Sequence, residues 1–115
     1  MQDYILIVYS NAADGRHEEF NAWYNNVHLP DVLALPHFTS ARRFKLIDFK
    51  LDEEAPNPTH QYVAYYHLSC DDPNAALSDL RDRVLTGKIL MSETMGPDFQ
   101  AVAYQAVSEN MLAGC

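Results

Sequence analysis

The sequence predicts an α+β domain whose elements follow the order βαββαβ. Three observations predict it: four segments with the composition of strands, two helical segments between them, and short connections. Short connections and right-handed crossovers favour a four-stranded antiparallel sheet with both helices on one face, the ferredoxin-like arrangement. We expect a single domain over residues 1–107 and a tail at residues 108–115, which could cross to a partner.

The first strand is predicted at residues 4–9, which are rich in β-branched and aromatic side chains. A turn follows, and Asp14 is expected to cap the first helix. Pro30 lacks a backbone donor, so this helix should kink or stop near His28, with a second short turn at residues 31–35. The predicted buried face of the helix has i, i+3, i+4, i+7 spacing and consists of Phe20, Trp23, Tyr24 and Val27.

The remaining elements are a second strand at residues 37–50, a proline-rich acidic loop, a third strand at residues 60–69, a helix and a fourth strand at residues 98–107. Strict alternation in the second strand would place Phe38 and Arg42 on one face and Arg43 on the other. Asp72 is the predicted N-cap of the second helix, and Gly87 its C-terminal stop. Residues 88–97 are irregular and could form a lid or a pocket wall.

Composition and charge exclude several classes of function. The chain has 115 residues, 48% of them apolar, and a net charge of −8. This charge disfavours nucleic acid and anionic membrane surfaces. No apolar run approaches the ~20 residues of a membrane span, and the N-terminal residues lack a secretory signal pattern. Cys70 and Cys115 form no disulfide framework, so we expect reduced thiols and a cytoplasmic protein.

The hydrophobic pattern also predicts a partner chain. The first and third strands are apolar on both faces, yet two helices can cover only one face of the sheet. An uncovered sheet face exceeds the few hundred Å² of apolar surface that monomers usually expose. We therefore expect a homodimer that packs sheet to sheet, with a pocket between sheet and helix.

The segment AWYNNVHLPDVLALPHFTSARRF, residues 22–44, resembles the dimeric α+β barrel superfamily, and most closely its EthD-like proteins. The first helix of those proteins carries an aromatic residue, a histidine and a nearby proline, matched here by Tyr24, His28, Pro30 and Asp31. Members include cofactor-free monooxygenases of aromatic polyketides, cyclases and lactone isomerases. The resemblance implies chemistry without a cofactor, and the chain lacks the asparagine–tryptophan–histidine set of the haem-degrading members.

The candidate catalytic residues are His28 as general acid/base, Asp31 as the group that orients it, and Tyr24 as a positioning residue. Each has a structural alternative. His28 could interact with a helix C-terminus, Asp31 could cap the next turn, and Tyr24 could belong to the core with Trp23. No histidine pair has metal-ligand spacing, so we expect no metal, and the resemblance implies that no cofactor is bound.

The candidate substrate-binding residues are Trp23, Tyr65, His67 and Arg43. Tyr65 and His67 share one face of the third strand and would bind substrate only if that face lines the cavity. An inward Arg43 could bind a carboxylate or enolate oxygen, whereas an outward one would form a surface ion pair. Together these features predict proton-transfer chemistry on a hydrophobic aromatic or cyclic molecule. A ligand-binding protein without catalysis is the alternative.

Overall fold

A computed structural model of the protein describes residues 2–114. The strands are β1 (Gln2–Ser10), β2 (Phe38–Lys45), β3 (Tyr62–Cys70) and β4 (Gln100–Gln105). The helices are α1 (His17–Trp23), a π-helical turn (Tyr24–His28), α2 (Leu29–Leu33) and α3 (Pro73–Leu85). The strands form one antiparallel sheet in the order β2-β3-β1-β4. This confirms the predicted α+β ferredoxin-like fold.

The sheet has two different faces, because successive side chains of a strand point to opposite sides. The helix face includes Leu6, opposite Tyr66 of β3 and Ala103 of β4, and it packs against the helices. The open face carries the alternate residues, such as Ile7, which lies opposite Tyr65 and Val102. Both faces of the central strands are therefore apolar, as their composition predicts.

The core lies between the helix face and the first helical region. Phe20, Tyr24 and Val32 are at most 1% exposed and pack against the buried side chains of β3. Those side chains alternate along the strand and are Tyr62, Ala64, Tyr66 and Leu68. Within residues 2–114, no helix has the length and apolar character needed to cross a bilayer.

The first helical region departs from the prediction in three ways. It begins at His17, and Arg16 occupies the N-cap position, so Asp14 does not cap it. It does not stop at His28, because a π turn connects α1 directly to α2 and Pro30 lies in the first turn of α2. The π turn also rotates the following residues, so that His28 is buried while Val27 is 42% exposed.

Strand β2 is shorter than predicted, because it ends at Lys45 and His37 adopts a positive φ of 77° before it. A register shift between Phe38 and Ser40 breaks the expected alternation. Phe38 belongs to the core and Ala41 packs against it, so both lie on the helix face. Arg43 is two residues after Ala41 and therefore shares this face. The prediction that the two adjacent arginines point to opposite faces is confirmed, since Arg42 stacks on Phe44 of the open face.

The second half of the chain follows its local signals closely. The Asp72 side chain accepts a hydrogen bond from the Ala75 amide, and Gly87 ends the helix region with a φ of 78°. Strand β4 is shorter than expected, and residues 106–114 form an exposed irregular tail. The tail's predicted crossing to a partner stays a prediction, and Cys115 lies outside the described residues.

Candidate functional site

A cavity of about 510 Å³ lies between the helix face, the π turn and α3. Its floor comes from β1 and β4, and the irregular segment after α3 supplies one wall, as expected for residues 88–97. The lining is mainly aliphatic, aromatic and thioether side chains, which suits a hydrophobic small molecule. The apolar lining comprises Leu6, Val8, Val32, Leu77, Leu80, Val84, Leu85, Met91, Met95, Phe99, Ala101 and Ala103.

Three polar side chains meet at the buried end of this cavity: Tyr24, His28 and Tyr66. The Tyr66 hydroxyl donates to the Tyr24 hydroxyl, with 3.1 Å between the oxygens. Since Tyr24 accepts this bond, its own O–H proton remains available to a ligand. His28 Nδ1 is buried and has no hydrogen-bond partner among the described residues. Such an atom normally costs stability, so its presence suggests a functional role.

Aromatic rings fix the orientation of the His28 imidazole. The Trp23 ring stacks on it, with 4.8 Å between centroids and 24° between planes. Tyr24 meets it edge-on at 5.0 Å. Trp23 does not line the cavity and contacts His28 instead, and its role in substrate binding stays a prediction. The π turn makes this arrangement, because it turns His28 toward the sheet.

Burial lowers the pKa of His28 from 6.5 to about 4. The charge of Asp31 opposes this effect, and the positive charge of Arg43 adds to it. The imidazole is therefore neutral at pH 7 and can accept a proton or a hydrogen bond. Burial also raises the pKa values of Tyr24 and Tyr66, so both phenols keep their protons.

Arg43 is half-buried and lies behind Tyr24, outside the cavity lining. Its guanidinium carbon is 4.3 Å from the centre of the Tyr24 ring and 5.2 Å from that of Phe20. One guanidinium nitrogen donates to the Asn25 side chain at 2.9 Å, and Nη2 is buried without a partner among residues 2–114. Arg43 thus contacts the rear of the site and would act on a ligand through Tyr24.

The structure does not bring the other predicted site residues to the cavity. Asp31 forms no hydrogen bond with His28 among the described residues, and it lies within α2, so it does not cap a turn either. Tyr65 and His67 lie on the open face, opposite Ile7 and Ile5 of β1. These two residues therefore do not line the helix-face cavity, because strand alternation points them to the other side of the sheet, and their binding of substrate stays a prediction.

Sequence reasoning missed Tyr66 and the α3 wall as parts of the site. Tyr66 belongs to the core by its position on the third strand. Only its hydrogen bond to the Tyr24 hydroxyl, which is 42 residues away in the sequence, reveals a second role. The sequence of α3 does contain a pattern that could have indicated this wall. Polar residues recur at spacings of four and three along one side of the helix, and they line the cavity: Asn74, Ser78 and Arg81. Within residues 2–114, no three His, Cys, Asp or Glu side chains are grouped to hold a metal ion.

Comparison with protein families identifies a match to a family described as "Domain of unknown function (DUF4286)" over residues 3–75, more than half of the chain. The protein belongs to this family. No curated protein matches the chain at a significant level. The matched region of this DUF4286 protein contains Tyr24, His28 and Tyr66, whereas most of α3 and all of β4 lie beyond it.

Solved structures resemble the DUF4286 protein along nearly its whole length. A "putative monooxygenase" of Shewanella loihica PV-4 aligns with a TM-score of 0.60 and 14% identity, covering 94% of this chain and 97% of that one. A dimeric ferredoxin-like protein of unknown function from Thermobifida fusca YX has a TM-score of 0.53 and 17% identity, covering 91% and 92%. An EthD-family protein of Bacillus halodurans C-125 has a TM-score of 0.51 and 13% identity, covering 96% and 100%. These similarities establish an EthD-like fold.

Proposed function

We propose that this protein is a cofactor-independent enzyme that moves a proton on a hydrophobic aromatic or cyclic small molecule. The observation that carries the proposal is the neutral His28 at the buried end of an apolar cavity, with Nδ1 unpaired beside the Tyr24–Tyr66 pair. His28, Tyr24 and Tyr66 all line this cavity. The similarity to a protein described as a "putative monooxygenase" supports this class of chemistry by fold alone.

The proposed first step is deprotonation of an acidic C–H or O–H group of the ligand by His28. The electron pair of the broken bond passes to the ligand's carbonyl or ring oxygen, where the Tyr24 hydroxyl donates a hydrogen bond. Tyr66 strengthens Tyr24 as a donor, because the hydroxyls form a chain. The imidazolium is stabilised by stacking on Trp23 and by the charge of Asp31. Return of the proton to another atom gives isomerisation. With dioxygen as co-reactant, a deprotonated CH₂ carbon of the ligand would be oxidised to a carbonyl by one oxygen atom, and the other oxygen atom would leave as water with the two protons.

A ligand-binding protein without catalysis is the second candidate function. The pKa of about 4 favours it, because His28 is then a weak base in the free protein. In this case His28 and Tyr24 would only hydrogen-bond a ligand oxygen, and the remaining apolar lining would supply affinity. The experiment below separates the two functions.

We also propose that the protein is a cytoplasmic homodimer with residues 2–107 as its folded unit. The apolar open face supports dimerisation, and one protein of similar fold is dimeric. Cys70 is a free, buried thiol, which fits a reducing compartment.

Deuterium exchange tests the proposed activity. Enolisable aromatic ketones and hydroxynaphthalenones would be incubated with the protein in D₂O, and loss of the acidic C–H signal followed by NMR. We expect exchange by wild type, a loss of at least about tenfold in His28→Gln, and a smaller loss in Tyr24→Phe. His37→Asn is the matched control, since Asn tolerates the positive φ of this exposed turn residue. Binding of these compounds with exchange equal in wild type and His28→Gln would leave only the binding function.

A further inference from the structure

The charges around the cavity differ from those of the protein as a whole. The chain carries 16 acidic and 8 basic residues. Yet within residues 2–114 no Asp or Glu lines the cavity, and Arg81 is the one formally charged residue of that lining at pH 7, given the neutral His28. A cationic group in an otherwise uncharged lining attracts an anion in an acidic protein.

Arg81 lies at the solvent-exposed rim of the cavity, whereas the buried polar groups lie inside the protein. The Arg81 side chain is 68% exposed and His28 is 7% exposed. Asn74, Ser78 and Arg81 follow each other at spacings of four and three along α3, which puts these three hydrogen-bond donors on one helix face. The Asp82 carboxylate is 3.8 Å from the Arg81 guanidinium and 67% exposed. Because an exposed ion pair of this kind is weak, the guanidinium is available to a ligand.

We infer that the natural ligand is an amphipathic anion, with a carboxylate or similar group at Arg81 and a carbonyl or hydroxyl oxygen at Tyr24 and His28. The apolar body of the ligand lies between these ends, against the methionine and leucine side chains of the lining. Guanidinium groups bind carboxylates with charge-assisted hydrogen bonds, and Asn74 and Ser78 add neutral donors. This inference rests on the proposed function only in using the same cavity as the ligand site.

Paired probes test the inference. A series of ω-(4-acetylphenyl)alkanoic acids of increasing chain length, present as carboxylates at pH 7, would be compared with the corresponding primary amides, which keep the shape and lose the charge. Calorimetry gives each Kd. Occupancy of the buried end is read from the indole N–H signal of Trp23, the only tryptophan of the chain, because Trp23 stacks on His28.

For at least one chain length we expect the carboxylate to bind roughly three- to tenfold more tightly than its amide. Arg81→Gln should remove this preference and leave amide binding unchanged. Arg83→Gln is the matched control, because Arg83 is on the same helix, pairs with Asp79 and does not line the cavity. Equal Kd values for acid and amide in wild type, a preference that survives Arg81→Gln, or no binding of either series would overturn the inference.

The result is separable from the proposed catalysis. His28→Gln should keep the preference for carboxylates, since Arg81 lies at the exposed rim of the cavity and His28 is buried. A protein that exchanges deuterium without any preference for anions contradicts the inference alone. A protein that prefers anions without exchange contradicts the proposed enzyme activity and leaves the inference standing.

Discussion

His28 combines two properties that a purely structural histidine would rarely keep together. Its Nδ1 is buried without a partner, and its ring is held between Trp23 and the edge of Tyr24. An unpaired buried nitrogen costs about 1–3 kcal/mol relative to a satisfied one. The imidazole is neutral, and its unpaired nitrogen lowers the stability of the folded protein. A ligand that forms a hydrogen bond with this nitrogen would restore the lost stability.

The lowered pKa of His28 makes a prediction about stability in acid. Folded protein binds the His28 proton near pH 4 and unfolded protein near pH 6.5, so between these values the unfolded chain binds more protons. The free energy of unfolding must therefore fall as pH falls through this window. We expect wild type to lose about 2 kcal/mol more than His28→Gln between pH 7 and pH 4.5.

Urea denaturation of both proteins across this pH range measures the difference, and the shared carboxylates cancel in the comparison. A histidine NMR titration gives the pKa directly. Parallel pH profiles for the two proteins, or a His28 titration near pH 6.5, would show that the imidazole is not desolvated in the folded state.

The sequence identifies Tyr24 and His28 but not the complete site. Both lie in a short segment where the residue types alone suggest chemistry. Tyr66 and Arg43 could not be placed the same way, because their contacts with Tyr24 span 42 and 19 residues of chain and depend on strand register. Alternation shows that Tyr65 and His67 share one face of the strand. It does not show which face the helices cover, so the sequence could not decide whether these two residues reach the cavity.

At the scale of elements, the π turn decides which side chains of the first helical region face the sheet. The buried residues Phe20, Tyr24, His28 and Val32 are spaced by four throughout. An α-helix advances about 100° per residue, so a constant spacing of four drifts by about 40° at each step. A π turn has more residues per turn and offsets this drift. The prediction used a regular α-helix with 3.6 residues per turn, and it therefore placed Val27 on the buried face instead of His28.

Valine-to-alanine substitutions test this geometry. Val27 is 42% exposed and Val32 only 1% exposed, although a regular helix through this region would bury Val27. We expect Val27→Ala to change the free energy of unfolding by less than about 0.5 kcal/mol, and Val32→Ala to lower it by about 2 kcal/mol. Urea denaturation at pH 7 measures both. A large loss in Val27→Ala would mean that the helix has no π turn in solution.

Elements with strong local signals were predicted well, and those that depend on distant contacts were not. Helix α3 carries its start in Asp72–Pro73 and its end in Gly87, so its position needs no tertiary information. The bulge near Thr39 and the end of β2 at Lys45 depend on pairing with β3, which the β2 sequence does not contain.

For the whole molecule, the open face is the feature that a single chain leaves unexplained. Its middle row consists of Arg42, Tyr65, Ile7 and Val102, one residue from each strand. Tyr65 and Val102 are 37% and 38% exposed, although Tyr65 belongs to a central strand and Val102 lies in the middle of β4. Apart from Arg42 the row is apolar, and exposed apolar surface of this kind usually marks an interface. A two-fold axis would pair the face with itself and leave the helix-face cavity open in each subunit.

Substitutions in the middle row test the dimer. A two-fold interface contains every substituted residue twice, so Tyr65→Asp or Val102→Asp buries two carboxylates at once. We expect either variant to raise the dimer Kd by at least about 100-fold in analytical ultracentrifugation at micromolar concentration. Val27→Asp is the control, because it adds the same charge at an exposed position of the helical layer and should remain dimeric. Since the cavity lies within one chain, monomeric Tyr65→Asp should still bind ligand at Tyr24 and His28. A wild-type protein that sediments as a stable monomer would contradict the dimer without affecting the proposed site.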